Sequence, residues 1–252
     1  MSQSDTIRQV AQRLRALTRV LALTGAGISA ESGVPTFRGQ DGLWRNYRAT
    51  DLATPGAFAR DPALVWEWYR WRRSKICDAS PNPGHHVLAR FEGVWPAFLL
   101  ATQNVDGLHG RAGSRRLLEL HGNIWRARCA AGCGQTVTEA TRASRQRDAG
   151  APPTVPVCAC GALMRPDIVW FGEALDDTIL AQTLDAAASC EALLVVGTSS
   201  VVYPAAALPG LAKRHGAIVI EINVEETPLT GAADYTLRGK SGELLPALEA
   251  LL

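Results

Sequence analysis

The sequence predicts an α/β fold, in which a parallel sheet carries a small zinc-binding domain as an insertion. Short apolar runs alternate with helical stretches along most of the chain, and this alternation favours parallel strands joined by crossover helices. A glycine-rich turn follows the first apolar run. Two pairs of cysteines interrupt the pattern in the second half of the chain, and such pairs are typical of zinc sites.

Composition sets the broad class of the protein. The chain has 252 residues, of which 47 % are hydrophobic, so it can bury a sizeable core. Its net charge of +2 is too balanced to indicate nucleic-acid binding. The sequence shows neither an apolar run of membrane-spanning length nor the apolar segment of a secretory signal. We therefore expect a cytoplasmic monomer that binds neither nucleic acid nor a membrane.

The first elements are a helix, a strand and a glycine turn. Apolar residues at helical spacing predict a helix over residues 7–17, and residues 20–23 form an apolar run of strand length. Gly25, Gly27 and Ala30 follow that run. Small residues here let the backbone approach a pyrophosphate at a helix N-terminus, where free N–H groups favour anions. A tight strand-to-helix turn without a ligand is the alternative.

A second turn-rich segment follows the glycine turn, where an ordinary dinucleotide-binding fold would continue as helix. It carries the ring of Phe37 and the cation of Arg38. Residues 55–74 are then predicted to be helical, and three closely spaced tryptophans in this stretch are expected in the core. Tyr69 and Arg72 are three residues apart, so they share one face of that helix.

Polar residues follow the next predicted strand, residues 95–101. Gln103, Asn104 and Asp106 stand at its C-terminal end, where ligands of open α/β sheets bind. Helix capping by Asn104 or Asp106 is the alternative. His121 follows a further apolar stretch, residues 117–120.

The cysteine pairs predict a structural zinc ion. Cys129 and Cys133 form one pair, and Cys158 and Cys160 form the other. Four thiolates close a tetrahedral shell and leave no position for a reactive water, so the metal should hold shape. Because the insert contains few apolar residues, metal binding would supply much of its folding free energy. Free buried thiols or a redox pair are the alternatives.

Two more strands and a terminal helix complete the prediction. Residues 193–200 form an apolar strand that ends in small polar residues, and residues 217–225 form another. Residues 242–252 are predicted to form the last helix.

Taken in order, these motifs resemble those of the sirtuins, a family of NAD-dependent protein lysine deacylases. The segments that carry the resemblance span nearly the whole chain: residues 25–29 with 33–38, residues 102–109, 121–122, the cysteine pairs, and residues 169–173, 197–199 and 223–225. The resemblance implies NAD as a consumed co-substrate, one structural Zn²⁺ and acyl-lysine proteins as substrates. The Cys-x-Cys second pair departs from the Cys-x-x-Cys of many members.

The resemblance also implies a division into domains. A Rossmann-like domain would comprise about residues 1–40, 80–125 and 165–252. A small domain would consist of a helical insertion at about 41–79 and a zinc-binding insertion at about 126–164. The active site would lie in the cleft between the two.

The implied reaction has two stages. The amide oxygen of the acyl-lysine attacks C1′ of the nicotinamide ribose and expels nicotinamide. A base then activates a ribose hydroxyl that attacks the imidate carbon, and water releases lysine and O-acyl-ADP-ribose. His121 fits the base, because imidazole titrates near neutral pH. His109 is less well placed in its motif, and His85, His86 and His215 are expected to be structural or on the surface.

The resemblance assigns the remaining site residues. Asn104 and Asp106 act with His121 and hold the nicotinamide amide and its ribose, while Phe37 and Arg38 shield C1′ and guide the pyrophosphate. The implied cofactor contacts are Gly25, Ala26, Gly27, Ala30, Phe37, Arg38, Trp44, Gln103, Asn104, Val105, Asp106, Gly197, Thr198, Ser199, Asn223, Val224, Glu225 and Ser241. The peptide is expected to lie extended between residues 169–173, including Val169 and Phe171, and the segment near 202–203.

Tyr69 and Arg72 resemble the Tyr-x-x-Arg pair of the sirtuin branch that removes succinyl and malonyl groups. In that branch the two side chains bind the distal carboxylate of the acyl group, a role that suits the planar fork of arginine. Ala53 is small where a deacetylase pocket often has a bulkier wall. The resemblance thus implies removal of succinyl, malonyl and acetyl groups. A solvated Arg72 and a core Tyr69 are the alternative.

Two other functions fit parts of the pattern. An NAD-dependent ADP-ribosyltransferase would use the same pocket and would not need His121 as a base. A non-catalytic sensor of NAD or ADP-ribose would have no use for a base beside the ribose. The presence of His121, Asn104 and Asp106 argues against the sensor.

Overall fold

The structure, a computed structural model, describes residues 2–35, 44–45, 47–138 and 154–252. Phe37 and Arg38 lie outside these ranges, so their predicted roles stay predictions. Within the described ranges, no helix is both long and apolar enough to cross a membrane.

Helices and strands alternate along most of the chain. In chain order the described elements are α1 (Gln3–Leu14), β1 (Arg19–Thr24), α2 (Ala26–Ala30), α3 (Ala49–Leu52), α4 (Pro55–Arg60), α5 (Pro62–Ile76), α6 (Pro83–Val94), β2 (Ala97–Thr102), α7 (Leu108–Ala112), β3 (Leu117–Glu119), β4 (Gly122–Cys129), β5 (Thr136–Thr138), β6 (Met164–Ile168), α8 (Asp177–Ser189), β7 (Ala192–Val196), a 3₁₀ turn (Ala205–Ala207), α9 (Leu208–Arg214), β8 (Ile218–Asn223), β9 (Tyr235–Arg238) and α10 (Ser241–Glu249).

The larger sheet is the Rossmann-like parallel sheet that the sequence predicted. Its six strands have the order β3-β2-β1-β7-β8-β9, and each neighbouring pair is parallel. The chain moves outward from β1 to β2 and β3, then returns to the other side of β1 with β7. In such sheets, ligands bind at the carboxyl ends of the strands where the winding direction reverses. The turn after β1 lies at this point.

Both faces of the larger sheet are covered by helices. Successive residues of a strand point to opposite faces, and Val20 and Ala22 belong to a different core from Leu21 and Leu23. Helices α1, α6 and α10 contribute to the first core, and α8 and α9 contribute to the second. Burial on both faces explains why β1 is apolar along nearly its whole length.

A smaller antiparallel sheet, with the order β5-β4-β6, packs with α3, α4 and α5 around a third core. Trp66 and Trp68 are fully buried there, and the indole N–H of Trp66 donates to the Met164 carbonyl oxygen at 2.8 Å. Trp71 is half-buried against the same core. The prediction that all three tryptophans of α5 lie in the core is therefore confirmed for Trp66 and Trp68, while Trp71 packs at the edge of that core.

The structure differs from the sequence prediction in several elements, and three of them matter for the layout of the domains. The helix predicted over residues 55–74 is two helices, because Asp61 caps α5 by accepting a hydrogen bond from the Leu64 N–H at 2.9 Å, with a proline beginning the new helix. Strand β6, assigned from residue 165 to the main domain, pairs with β4 in the small sheet. Strand β9, a short edge strand, was not predicted at all. The domain boundaries as a whole stay a prediction.

Candidate active site

A cavity of about 1080 Å³ lies at the carboxyl edge of the larger sheet and reaches α5 and the end of β6. It brings together residues from widely separated parts of the chain. The predicted site residues that line it are Gly25, Ala26, Ala53, Tyr69, Arg72, Gln103, Asn104, Val105, Asp106, His121, Val169, Phe171, Thr198 and Ser199. The polar groups that follow β1, β2 and β7 therefore meet in one cavity.

Two predicted glycines support the cavity wall without lining it. The N–H of Gly27 donates to the Gly197 carbonyl oxygen at 2.7 Å. A Cβ atom on Gly27 would lie 2.7 Å from the Gly197 backbone, and Gly197 itself has a φ of +59°. Only glycine allows the turns after β1 and β7 to approach this closely. The role of these two residues is thus to bring the two turns together.

The remaining predicted cofactor contacts also lie outside the lining. Trp44 packs in the third core, 6.3 Å from the Trp71 ring, and Ala30 closes α2. Ser241 is buried, and its hydroxyl donates to Glu31 at 3.1 Å. The assignment of Trp44, Ala30 and Ser241 as cofactor contacts stays a prediction.

The strand β8 ends at the same sheet edge as the cavity-lining turns. Asn223 donates from Nδ2 to the Thr198 carbonyl oxygen at 2.8 Å and so fixes the turn after β7. Val224 and Glu225 follow in the next loop and do not line the cavity. Arg238 donates to the Glu225 carbonyl oxygen and holds that loop in place. The assignment of Val224 and Glu225 as cofactor contacts stays a prediction.

Asp106 is a buried carboxylate that lines the cavity. It is only 4 % exposed and accepts hydrogen bonds from the Ser29 hydroxyl at 2.7 Å and the Leu108 N–H at 2.8 Å. Burial raises the pKa of Asp106 above its ordinary value, while these two hydrogen bonds oppose the shift. The two donors hold the carboxylate in one orientation toward the cavity. Asp106 satisfies the N–H of Leu108, the first residue of α7, but the N-cap position of that helix is Gly107 and has no side-chain cap.

Ser29 connects Asp106 to a buried histidine. The Asn82 N–H lies 3.3 Å from His85 Nδ1, which makes Nδ1 the acceptor and leaves the proton on Nε2. His85 Nε2 is 3.3 Å from the Ser29 hydroxyl oxygen, which also accepts a hydrogen bond from Asn104 Nδ2 at 3.2 Å. The Ser29 hydroxyl in turn donates to the Asp106 carboxylate, so that His85, Ser29 and Asp106 form one hydrogen-bonded network. Burial lowers the pKa of His85 to about 4, so it is neutral at physiological pH.

Asn104 and His109 complete the buried polar network. Asn104 donates to the Gly25 carbonyl oxygen at 3.0 Å. His109 Nε2 lies 2.9 Å from the Thr24 hydroxyl, which donates to the Thr102 hydroxyl at 2.7 Å. Burial lowers the pKa of His109 to about 3. These contacts tie the ends of β1 and β2 together behind the cavity.

His121 faces the cavity from the junction of β3 and β4. Its Nδ1 lies 3.0 Å from the Gln103 carbonyl oxygen, which can only accept, so Nδ1 carries the proton. The Nε2 lone pair is then the basic site. Burial lowers the pKa of His121 below its ordinary value, and the hydrogen bond to Gln103 opposes this shift. His121 is therefore a neutral base of fixed tautomer at neutral pH.

Tyr69 and Arg72 also line the cavity, and the charge of Arg72 favours the ionised form of Asp106. Both lie on α5, where the Arg72 guanidinium is 5.0 Å from the Trp68 ring centre and hydrogen-bonds the Tyr69 hydroxyl. Trp170 also donates from its indole N–H to that hydroxyl at 2.9 Å. Burial raises the pKa of Tyr69 and lowers that of Arg72, so tyrosine stays protonated while arginine keeps its charge. Arg72 thus lines the cavity, contrary to the alternative of a solvated arginine, whereas Tyr69 is fully buried in the third core, as that alternative expected, and also lines the cavity.

The four predicted zinc ligands are close neighbours. All four sulfur atoms lie within 4.8 Å of one another. The Cys129–Cys160 and Cys133–Cys158 sulfur pairs are each 3.5 Å apart. Zinc–sulfur bonds of about 2.3 Å in a tetrahedron place sulfur atoms about 3.8 Å apart. The cluster therefore fits one structural Zn²⁺ and leaves it no open position for chemistry.

Sequence reasoning missed the roles of Ser29, His85 and Trp170. Ser29 and Trp170 lie inside segments that carry the sirtuin resemblance, which is the signal that could have marked them. No spacing rule joins His85 to Ser29, because they are 56 residues apart in the chain and meet only through folding.

The comparisons with known proteins agree with this architecture. Residues 25–204 match the model of the Sir2 family, the family of the sirtuins. An NAD-dependent protein deacylase 2 from Pyrobaculum aerophilum is 51 % identical over 240 residues, covering 95 % of this chain and 93 % of the relative.

Solved structures extend this similarity to the fold. A crystal structure of a Sir2 homologue–NAD complex is 45 % identical, with a TM-score of 0.87, and covers 97 % of this chain and 94 % of that one. A Sir2–p53 peptide–NAD⁺ structure is 31 % identical, with a TM-score of 0.83, and covers 97 % of both chains. The chain belongs to the Sir2 family.

Proposed function

We propose that this NAD-dependent protein deacylase removes succinyl and malonyl groups, as well as acetyl groups, from lysine side chains. The observation that carries the proposal is that Tyr69 and Arg72 line the same cavity as His121. A plain acetyl group carries no charge and needs only apolar walls. A guanidinium beside a phenolic hydroxyl instead matches a carboxylate at the end of the acyl chain.

The cavity fits NAD in size and in the groups that it offers. It lies at the point where the sheet reverses its winding direction, with Gly25 and Ala26 at its edge. When bound, NAD supplies an electrophilic ribose carbon. We assign Asn104 and Asp106 to hold the nicotinamide amide and its ribose, and Gln103 to contact the ribose. The hydrogen bonds to Ser29 and Gly25 keep these groups in place.

His121 is the proposed general base. With its proton on Nδ1, it can accept the ribose hydroxyl proton on Nε2 as that hydroxyl attacks the acyl carbon. The imidazolium that forms keeps its hydrogen bond to the Gln103 carbonyl oxygen. It can return the proton when the intermediate breaks down to lysine and O-acyl-ADP-ribose.

The substrate peptide is proposed to lie extended between residues 169–173 and 202–203, with Val169 and Phe171 in contact. Both segments line the cavity, and Phe171 and Tyr203 are exposed at it. The Phe171 N–H donates to the Ala53 carbonyl oxygen at 2.9 Å, which fixes the segment beside the cavity entrance. Main-chain pairing of this kind is largely independent of peptide sequence. A relative's structure with a p53 peptide supports a peptide substrate for this chain.

Mass spectrometry of the products tests the proposal and its alternatives together. The protein is incubated with NAD and with acetyl-, succinyl- or malonyl-lysine peptides of one sequence. We expect free lysine, nicotinamide and the corresponding O-acyl-ADP-ribose from all three. Transfer of ADP-ribose to the peptide would indicate a transferase, and intact NAD would indicate a sensor. Deacetylation alone would leave the family activity and contradict the proposed acyl range.

We further propose that the protein acts as a cytoplasmic monomer on protein substrates and does not bind nucleic acid. The near-balanced charge of +2 supports the last point, and cysteines grouped as metal ligands support a reducing compartment. Light scattering during size-exclusion chromatography tests the monomer. Retention on a DNA or RNA column at low salt would contradict the expected lack of nucleic-acid binding.

A further inference from the structure

We infer that Trp170 is a positioning residue for acyl-group selection: its indole N–H orients the Tyr69 hydroxyl so that the hydroxyl proton points to the acyl carboxylate. This inference rests on the proposed function and goes beyond the Tyr69–Arg72 pair. Trp170 lines the same cavity and is 2 % exposed.

The hydrogen bonds of the Tyr69 hydroxyl carry the inference. A phenolic hydroxyl has one proton to donate, and its oxygen can accept. Trp170 and Arg72 both donate to this oxygen, the first at 2.9 Å. The two N–H donors occupy the accepting side of the oxygen, so the hydroxyl proton must point elsewhere. The remaining direction suits an acceptor, and a carboxylate is the strongest acceptor that an acyl chain can bring.

Trp170 is itself held firmly enough to set this orientation. The Arg165 guanidinium lies 3.3 Å from the centre of its indole ring, and the Phe58 ring lies 5.4 Å away. The Trp170 main-chain N–H donates to Glu173 at 2.8 Å. Arg165 forms two hydrogen bonds with the same carboxylate, at 2.5 and 2.8 Å. The indole therefore has one position, and its N–H has one direction.

The inference predicts selectivity for the charged acyl groups. A succinyl or malonyl group ends in a carboxylate that can accept from Tyr69 and Arg72 together. An acetyl group ends in a methyl group, which gains nothing from an oriented hydroxyl. Removal of the Trp170 N–H should therefore weaken binding of succinyl-lysine more than binding of acetyl-lysine.

The test compares steady-state kinetics on acetyl- and succinyl-lysine peptides of one sequence. Trp170 is replaced by phenylalanine and, separately, by benzothienylalanine through site-specific incorporation, which keeps the ring shape and replaces the N–H by sulfur. We expect KM for the succinyl peptide to rise about three- to tenfold, the effect of one lost hydrogen bond, with kcat retained. In a Tyr69→Phe background the same replacement should change neither KM further, because the hydroxyl to be oriented is gone.

Several results would overturn the inference. Equal loss on both peptides with benzothienylalanine would mean that Trp170 supports the fold alone. If the Trp170 replacement raises KM for the succinyl peptide as much in the Tyr69→Phe background as in the wild type, Trp170 does not act through the Tyr69 hydroxyl. If Arg72→Met abolishes selectivity while neither Trp170 variant alters it, the proposed function stands and this inference fails. If the wild-type protein has no desuccinylase activity, both the proposed acyl range and this inference are wrong.

Discussion

Two groups of residues that line the cavity are built from different chemistry. In the first group, the hydrogen-bond partners of Asp106 and His121 are hydroxyls, amides, main-chain carbonyls and neutral histidines. In the second group, the partners of the Tyr69 hydroxyl are a guanidinium and an indole, both donors only. The first group can accept and return a proton near neutral pH, whereas the second cannot.

The difference follows from how burial acts on each group. Burial disfavours charge, and a histidine responds by losing its proton, as at His85, His109 and His121. Arginine keeps its proton even when its pKa is lowered. The group that contains His121 is thus suited to proton transfer, and the group of Tyr69 and Arg72 is suited to recognition of a fixed negative charge. The two functions should therefore be separable by mutation.

Loss of the zinc cluster should cause the largest loss of activity, because it would disrupt both groups of cavity residues at once. Strand β4 begins next to His121 and ends at Cys129, and β6 leads into the segment at 169–173. We expect Cys129→Ser to lose zinc, to unfold the small sheet and to abolish activity on both peptides. Elemental analysis, circular dichroism and activity assays measure these outcomes. Cys77→Ser, outside the cluster, is the matched control, and a metal-free, active wild-type protein would contradict the prediction.

His121→Ala should cause the next largest loss of activity, and it should affect proton transfer alone. Loss of a general base typically lowers the rate about 10²- to 10⁴-fold. We expect this loss in kcat for acetyl- and succinyl-lysine alike, while NAD binding, measured by calorimetry, largely survives. Wild-type turnover at saturating NAD would remove His121 from the mechanism.

Arg72→Met should separate recognition of the acyl carboxylate from proton transfer by His121. The variant removes charge-assisted hydrogen bonds to the acyl carboxylate, so KM for succinyl-lysine should rise about 10- to 100-fold. The kinetics on acetyl-lysine should change much less. Arg70→Met is the matched control, because Arg70 is on the same helix but donates to the Thr154 carbonyl oxygen and does not line the cavity. Equal losses on both substrates would mean that Arg72 supports the fold.

Stability should also depend on pH, because two buried histidines stay neutral in the folded protein. The folded-state pKa values of His85 and His109, about 4 and about 3, lie below the ordinary 6.5. Below pH 6.5 the unfolded chain therefore binds protons that the folded protein does not. Stability should be complete above pH 6.5 and should fall by about 1 kcal/mol per histidine per pH unit as the pH decreases toward 5.

Urea unfolding at pH 7.5 and 5.5 measures this slope. His109→Gln should flatten it, whereas His215→Gln should not, because His215 is exposed. An unchanged slope for His109→Gln would assign the pH dependence to other groups. The ratio of succinyl to acetyl activity should stay constant over the same range, because Tyr69 and Arg72 do not titrate there.

Much of the fold followed from the sequence because it depends on local patterns. Strand β1 is buried on both faces, so an unbroken apolar run marked it within one residue at each end. The cysteine spacing identified the metal cluster, since four ligands must converge on one ion. Strand β9 was not predicted because only Leu237 among its four residues is fully buried, and an edge strand needs no strong apolar pattern.

The site was only partly determined by the sequence. Strand ends and a shared helix face drew attention to Asn104, Asp106, Tyr69 and Arg72, and the sirtuin resemblance gave these residues and His121 their predicted roles. Tertiary structure alone decided which of them meet and what supports them. His85 reaches Asp106 through Ser29, and Trp170 reaches Tyr69 from 101 residues away. Hydrogen-bond direction and desolvation, which set the histidine tautomers and the pKa shifts, arise only when those distant segments pack together.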